Sequence, residues 1–163
     1  MQENLPSDQQ KNSLSKNEPQ GIGGWLILVV IGLLISLTRL FTTVFSESIP
    51  ALQSPTARYL DRAIKSLLYF ELIGNILFAL AIIFLLLLLS QRYKLFPRLI
   101  IIFYLSNVVF VLLDLILAYQ IPAIKNSPDD GSSIKELARS IIGAAIWVPY
   151  FLVSKRVKNT FVN

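Results

Sequence analysis

Residues 72–91, LIGNILFALAIIFLLLLLSQ, form an apolar stretch that contains no charged side chain. A helix needs about 20 such residues to cross about 30 Å of hydrocarbon, because each residue adds about 1.5 Å along the axis. This stretch is therefore long enough for one membrane-spanning helix. Glu71 immediately precedes it, so the same helix also carries an ionisable group close to membrane depth.

Three other apolar stretches approach this length, so the sequence predicts an all-α, polytopic membrane protein built as a bundle of four transmembrane helices. The predicted spans are about residues 25–45, 67–89, 99–119 and 138–153. The fourth is the shortest and contains Pro149, which neighbouring helices can accommodate by re-satisfying the backbone. Residues 1–20 are polar and predict a disordered cytoplasmic tail. Residues 21–163 then form one membrane domain that ends in a short basic tail.

The composition excludes several classes of protein. Hydrophobic residues make up 54% of the chain and charged residues 15%, which is too apolar for an ordinary soluble domain. The chain has no cysteine and no histidine, so thiolate chemistry, disulfides and imidazole metal ligands are absent. We therefore expect no cofactor, no metal site, no catalytic residue and no enzyme activity. The net charge of +5 does not indicate a nucleic-acid partner, because basic residues also flank membrane spans.

Basic residues near the ends of the predicted spans indicate an orientation. The N-terminal tail, the second loop and the C-terminal tail together hold eight lysines and arginines, against six in the first and third loops. The positive-inside tendency then predicts that both termini are cytoplasmic in a multi-pass protein of the cell inner membrane. The residues that determine this topology, and that are candidates for lipid contact, are Arg92, Lys94, Arg98, Lys155, Arg156 and Lys158.

Three ionisable residues lie within or near the predicted hydrocarbon region: Arg39, Glu71 and Asp114. A charge at the centre of a span costs about 2.5–3.5 kcal/mol on insertion scales, so these side chains should face one another or water. Helical spacing adds Asn75 to the face of Glu71 and Asn107 to the face of Asp114. Two interpretations of this polar cluster remain open. It is either a static ion-pair network that holds three helices together, or a site that binds a proton or cation.

Shorter motifs predict local structure. Ser54-Pro55 is typical of a helix start and suggests an interfacial helix before the second span. The spacing Ser133-x-x-Glu136 suggests a capping box at the helix that enters the fourth span. Gly32 and Ser36 form a small-x-x-x-small pair, which favours close packing between helices inside the bundle. Gly21 to Gly24 suggest a flexible entry turn before Trp25, which is placed to anchor the membrane interface.

Two stretches carry a resemblance to a known family. The first is GIGGWLIL at residues 21–28 with Gly32-Leu33, and the second is WVPYFLVSKRVK at residues 147–158 with Thr160-Phe161. They resemble the first and last spans of the bacterial YdgK-like family of inner-membrane proteins of unknown function (domain of unknown function 2569). Glu71, Asn75 and Asp114 also look like that family's pattern. The resemblance implies a bacterial inner membrane, four spans and no assigned activity, and it transfers no residue roles.

The sequence therefore favours a non-catalytic scaffold that binds partners or lipids. Its expected contacts are the lipid bilayer and a membrane-protein partner or a second copy of the chain. The alternative is a small oligomeric transporter coupled to an ion or a proton, in which Glu71 or Asp114 is the coupling group. An intramembrane enzyme is the least favoured function, because such a site normally combines several residues in distinct chemical roles.

Overall fold

The computed structural model describes residues 23–126 and 131–162, and most of these residues are helical. The elements, in chain order, are α1 (Trp25–Thr42), a π-helical segment (Thr43–Ser48), α2 (Ile49–Gln53), a 3-10 turn (Pro55–Tyr59), α3 (Arg62–Ser90), α4 (Phe96–Tyr119), α5 (Pro122–Lys125), α6 (Ser132–Val153) and α7 (Lys155–Thr160). Four helices are long and apolar enough to cross a membrane: Trp25–Gln53, α3, α4 and α6. The predicted all-α architecture with four spans is confirmed.

Each long helix extends beyond the apolar stretch that predicted it. The first runs for 29 residues from Trp25 to Gln53, because the π-helical segment and α2 continue α1 without a break. Pro50 lies in the first turn of α2, where the helix changes from π-helical to α-helical hydrogen bonding. Because proline lacks a backbone N–H, it cannot donate a helical hydrogen bond at this point. The apolar stretch of a sequence marks only the part of a helix that lies in hydrocarbon. Backbone hydrogen bonds can continue the same helix through polar residues beyond that stretch. The predicted tail, residues 1–20, lies outside the described residues.

The four long helices pack in chain order. The first packs on α3, α3 packs on α4, and α4 makes the most extensive contact of all with α6. We call the end of the bundle that holds Trp25, Ser90, Phe96 and Val153 the terminal end. The opposite end, which holds the 3-10 turn and α5, is the distal end.

The hydrophobic core lies in the terminal half of the bundle. Phe96, at the start of α4, is fully buried, and its ring lies 4.8 Å from that of Phe161 and 5.8 Å from that of Phe151. Ser154 caps α7 by accepting a hydrogen bond from the Val157 N–H at 3.4 Å. This cap turns the chain so that Val157 and Phe161 enter the core. The C-terminal segment thus closes the terminal end.

A glycine sets the close approach of α3 and α4. Phe110 of α4 lies directly over Gly74, where even a Cβ atom would collide with the phenyl ring. The Phe110 ring stacks on Phe70 with centroids 5.0 Å apart and contacts Phe78 at 5.3 Å. Phe70, Gly74 and Phe78 are spaced one helical turn apart, so they form a slot along one face of α3.

Two local predictions are wrong. Helix α6 begins at Ser132 after Gly131, whose φ of 72° is left-handed, and the start has no side-chain cap, so Ser133-x-x-Glu136 is not a capping box. Ser54 and Pro55 do begin a helical segment, with Ser54 at the N-cap position, but that segment is a 3-10 turn, and the amphipathic residues after it are the first turns of α3. Gly32 and Ser36 face outward, with nothing within 4 Å of a Cβ placed at Gly32.

Candidate functional site

An ion pair joins the first and last spanning helices in the distal half of the bundle. Arg39 Nη2 of α1 lies 3.3 Å from Glu136 Oε1 of α6, and about half of each side chain is exposed. In the part of the chain that the structure describes, α1 and α6 otherwise have little direct packing. Arg39 therefore pairs with a carboxylate that the sequence pattern had assigned to a helix cap.

The carboxylate of Asp114 has a buried oxygen, Oδ1, that lacks a hydrogen-bond partner in the described part of the chain. A buried polar atom without a partner costs about 1–3 kcal/mol, so its persistence calls for an explanation. Arg39, which was expected to face Asp114, forms its ion pair with Glu136 instead.

Glu71, on α3, lies within electrostatic range of three other carboxylates, those of Asp114, Glu136 and Glu47. Asp114 is likewise within range of Glu136. We call these four residues, Glu47, Glu71, Asp114 and Glu136, the carboxylate cluster. They come from four different elements, so the cluster forms only when the whole distal half of the bundle assembles.

Two members of this cluster were not predicted. Glu47 lies in the π-helical segment, and Glu136 lies in the second turn of α6, both outside the apolar stretches that defined the spans. The available signal for Glu47 was its spacing of eight residues from Arg39, or about two helical turns. No signal in the sequence indicated that Glu136 would reach Arg39, because they are 97 residues apart.

The two predicted asparagines lie on the helices that carry the central carboxylates. Asn75 is half-buried one turn after Glu71 on α3, and Asn107 is half-buried two turns before Asp114 on α4. Their spacing places each on the same helix face as its carboxylate. They are therefore positioned to extend the polar surface from the carboxylate cluster towards the middle of the bundle.

The terminal half of the described bundle carries basic residues and no carboxylate, whereas the distal half carries both signs of charge. All carboxylates of the described residues lie in the distal half: Glu47, Asp61, Glu71, Asp114 and Glu136. The terminal end holds the six predicted basic residues, of which Arg92, Lys94, Arg98, Lys155 and Lys158 are exposed. None of these six forms an ion pair within the described part of the chain. The terminal end is thus a strongly basic surface.

Arg156 is the exception among the basic residues, because its side chain is used inside the fold. A Cβ atom placed at Gly24 would lie 2.7 Å from Arg156 Nη1, and one placed at Gly23 would lie 3.0 Å away. Gly24 also has a φ of +57° and a ψ of −132°, a conformation that disfavours a side chain. The entry turn and the C-terminal helix, which carry the family resemblance, therefore contact each other.

The composition of the carboxylate cluster limits what it can bind. The described residues contain no group of three side chains able to hold a metal ion. A dehydrated divalent cation requires more oxygen ligands than Asp114 and Glu71 supply. A proton, or a monovalent cation that keeps part of its hydration shell, suits two carboxylates that form no ion pair among the described residues.

Comparison with known proteins agrees with this architecture. Residues 19–162 match the family described as a protein of unknown function (DUF2569). The inner membrane protein YdgK of Escherichia coli (strain K12) is 30% identical over 160 residues, which cover 92% of this chain and 99% of that protein. No solved structure matches the chain. The chain is therefore a multi-pass membrane protein that belongs to the DUF2569 family.

Proposed function

We propose that this protein is a non-catalytic membrane protein whose carboxylate cluster binds a proton or a small monovalent cation. The observation that carries the proposal is the buried Asp114 Oδ1, which has no hydrogen-bond partner among the described residues. A proton or a cation supplies the missing partner. Asn75 and Asn107 lie on the same helix faces as Glu71 and Asp114 and add polar side chains to these faces.

The alternative interpretation, a static network, requires that Arg39 neutralise Glu71 and Asp114. Arg39 instead makes its ion pair with Glu136, and the further neighbour within range of Glu71 is the carboxylate of Glu47. A purely structural role would leave Glu71 and Asp114, which both lie on spanning helices, as negative charges without an ion-pair partner among the described residues, which is costly. Uptake of a positive ligand removes this cost, which favours a binding site over a static network.

Transport follows from binding only if a pathway exists. Four helices that pack in chain order enclose little space of their own, so a transport pathway would form between copies of the chain. We therefore propose that any proton or cation movement occurs in an oligomer. Glu71 and Asp114 are the coupling groups in this scheme, and Arg39–Glu136 tethers the first helix to the last.

The test is ion movement in proteoliposomes that contain a pH-sensitive dye, with sodium, potassium and small amines offered outside. We expect the wild type to support a cation-dependent change of internal pH, and Glu71→Gln and Asp114→Asn to abolish it. Asp61→Asn is the matched control, because it removes a distal carboxylate outside the carboxylate cluster. Equal rates for Asp114→Asn and the wild type would refute the proposal.

A second candidate function has its own observation. The exposed basic residues of the terminal end have no ion-pair partner in residues 23–126 and 131–162, so this surface is available to an acidic partner protein. We propose a scaffold role of this kind if no ion movement is found. Cross-linking in membranes would test it, since the triple variant Lys94→Gln, Lys155→Gln and Lys158→Gln should lose the cross-linked product, while Lys125→Gln at the distal end should keep it.

A further inference from the structure

A polar pocket lies at the distal end, separate from the carboxylate cluster. It has a volume of about 280 Å³ and is formed where α2, the 3-10 turn and α3 meet. Its polar lining comes from Gln53, Ser54, Arg58, Lys65 and Tyr69, and Leu52 adds an apolar wall. Neither the sequence motifs nor the family match assigns a role to this pocket.

A hydrogen bond fixes one of the two cations of the pocket. Lys65 Nζ donates a hydrogen bond to the backbone carbonyl of Arg58 at 3.3 Å, which fixes the ammonium group beside the 3-10 turn. An ammonium group has three N–H donors, so two remain for a ligand. The guanidinium group of Arg58 adds a planar set of donors that matches the oxygens of a phosphate.

Neither cation is neutralised by a carboxylate of the described residues, none of which forms an ion pair with Arg58 or Lys65. Asp61 is near in sequence but is exposed at the start of α3, where Arg62 follows it directly. The pocket therefore has a net positive charge and donors that point to an anion.

The position of the pocket identifies the source of that anion. Tyr69, which is 54% exposed, lies two turns into the spanning helix α3, and Tyr59 on the 3-10 turn is 90% exposed. Exposed tyrosines at the end of a span are typical of the headgroup region of a bilayer. The polar side of the pocket then lies at headgroup level, and Leu52 lies where an acyl chain or glycerol backbone would pass.

We propose that this pocket binds the phosphate of a phospholipid headgroup at the distal membrane surface. Lys65 and Arg58 donate to the phosphate oxygens, Gln53 and Tyr69 offer further hydrogen bonds, and the acyl chains stay in the bilayer beside α3. A bound lipid would hold the end of the 29-residue first helix against the start of α3.

The test is native mass spectrometry of the full-length protein in detergent, titrated with phosphatidylglycerol and, separately, with diacylglycerol, which lacks the phosphate. Loss of one cation at a membrane surface weakens binding by about 1 kcal/mol, or about fivefold. We expect Arg58→Gln and Lys65→Gln each to weaken phosphatidylglycerol binding by about this factor. Arg62→Gln is the matched control, because Arg62 is an exposed arginine at the start of α3 that does not line the pocket.

Two results would overturn the proposal. Equal loss of binding in Arg62→Gln would mean that only the overall charge of the distal end matters. Binding of inorganic phosphate that depends on Arg58 and Lys65, without binding of phosphatidylglycerol, would assign the pocket to a free anion. Thermal unfolding of each variant, matched to the wild type, ensures that a loss of lipid does not reflect a loss of fold.

Discussion

Arg39 Nη2 of the first spanning helix lies 3.3 Å from Glu136 Oε1 of the last, so the arginine of the first span is paired with a carboxylate of α6. Although Arg39 pairs with Glu136, the charged neighbours of Glu71 are the carboxylates of Asp114, Glu136 and Glu47, and the charged neighbour of Asp114 is that of Glu136. The ion pair also connects two helices that otherwise have little direct packing in the described residues. Its removal should therefore loosen the bundle while leaving the central carboxylates in place.

We predict that Arg39→Gln and Glu136→Gln each lower the thermal stability of the purified protein. Because about half of each side chain is exposed, the coupling energy in a double-mutant cycle should be about 0.5–1 kcal/mol. Arg139→Gln is the control, since Arg139 is an exposed arginine of α6 that forms no ion pair with any described residue. If the effects of the two single substitutions are additive in the double variant, the pair does not contribute to stability.

The contact between Arg156 and the entry turn gives a second prediction. Gly24→Ala should destabilise the protein by about 1–2 kcal/mol, because a side chain is disfavoured at this positive φ and the new Cβ would displace the Arg156 guanidinium. Gly32→Ala, in contrast, should be neutral or stabilising by up to about 1 kcal/mol, since it lies within a helix with open space around it. Denaturant unfolding in detergent measures the free energy of unfolding of both variants. An equal change in the two variants would contradict the contact between Gly24 and Arg156.

The slot on α3 gives a third prediction. Gly74→Ala should cost about 1–3 kcal/mol, because the added methyl group must push Phe110 out of its position between Phe70 and Phe78. Gly143→Ala adds the same methyl group to α6, where nothing lies within 4 Å, and should be tolerated. A second substitution, Phe110→Leu, should recover part of the stability lost in Gly74→Ala. Failure of this rescue would mean that the helices do not meet at this point.

Orientation in the membrane remains a prediction, and the absence of cysteine makes it easy to measure. The basic terminal end is predicted to be cytoplasmic. Lys94→Cys should then react with a membrane-impermeant maleimide only after the membrane is permeabilised, whereas Asn126→Cys should react in intact spheroplasts. Both residues are exposed in the fold, so their accessibility reports the side of the membrane. The reverse labelling pattern would place the terminal end outside.

Hydropathy and spacing were sufficient to predict the four helices, because a continuous apolar stretch such as residues 72–91 has no stable alternative in a bilayer. They also placed Glu71 and Asp114 within spanning helices, and both residues lie in helices long and apolar enough to cross a membrane. Hydropathy was less informative at the helix ends, since it does not report hydrogen bonds outside hydrocarbon. The extension of the first helix to Gln53 and the docking of α7 were therefore not predicted.

The partner of Arg39 was not predictable from spacing within one helix. Which side chains meet depends on which helices are neighbours and how each is rotated, and a long arginine side chain reaches beyond its own turn. Gly74 illustrates the same limit, because its importance comes from Phe110 on another helix. The spacing of residues along one helix predicts which of them share a helix face. Which faces then contact each other depends on how the helices pack in the bundle.

The central claim is that the carboxylate cluster takes up a proton or a cation, and infrared difference spectroscopy of the purified protein measures this most directly. Protonation of a carboxylate, or binding of a cation to it, changes its infrared absorption. A difference band that disappears in a variant lacking one carboxyl group is thereby assigned to that group. We predict that the carboxyl difference band of the wild type is lost or strongly reduced in Asp114→Asn and Glu71→Gln and retained in Asp61→Asn. A band that is identical in Asp114→Asn, Glu71→Gln and the wild type would contradict the claim.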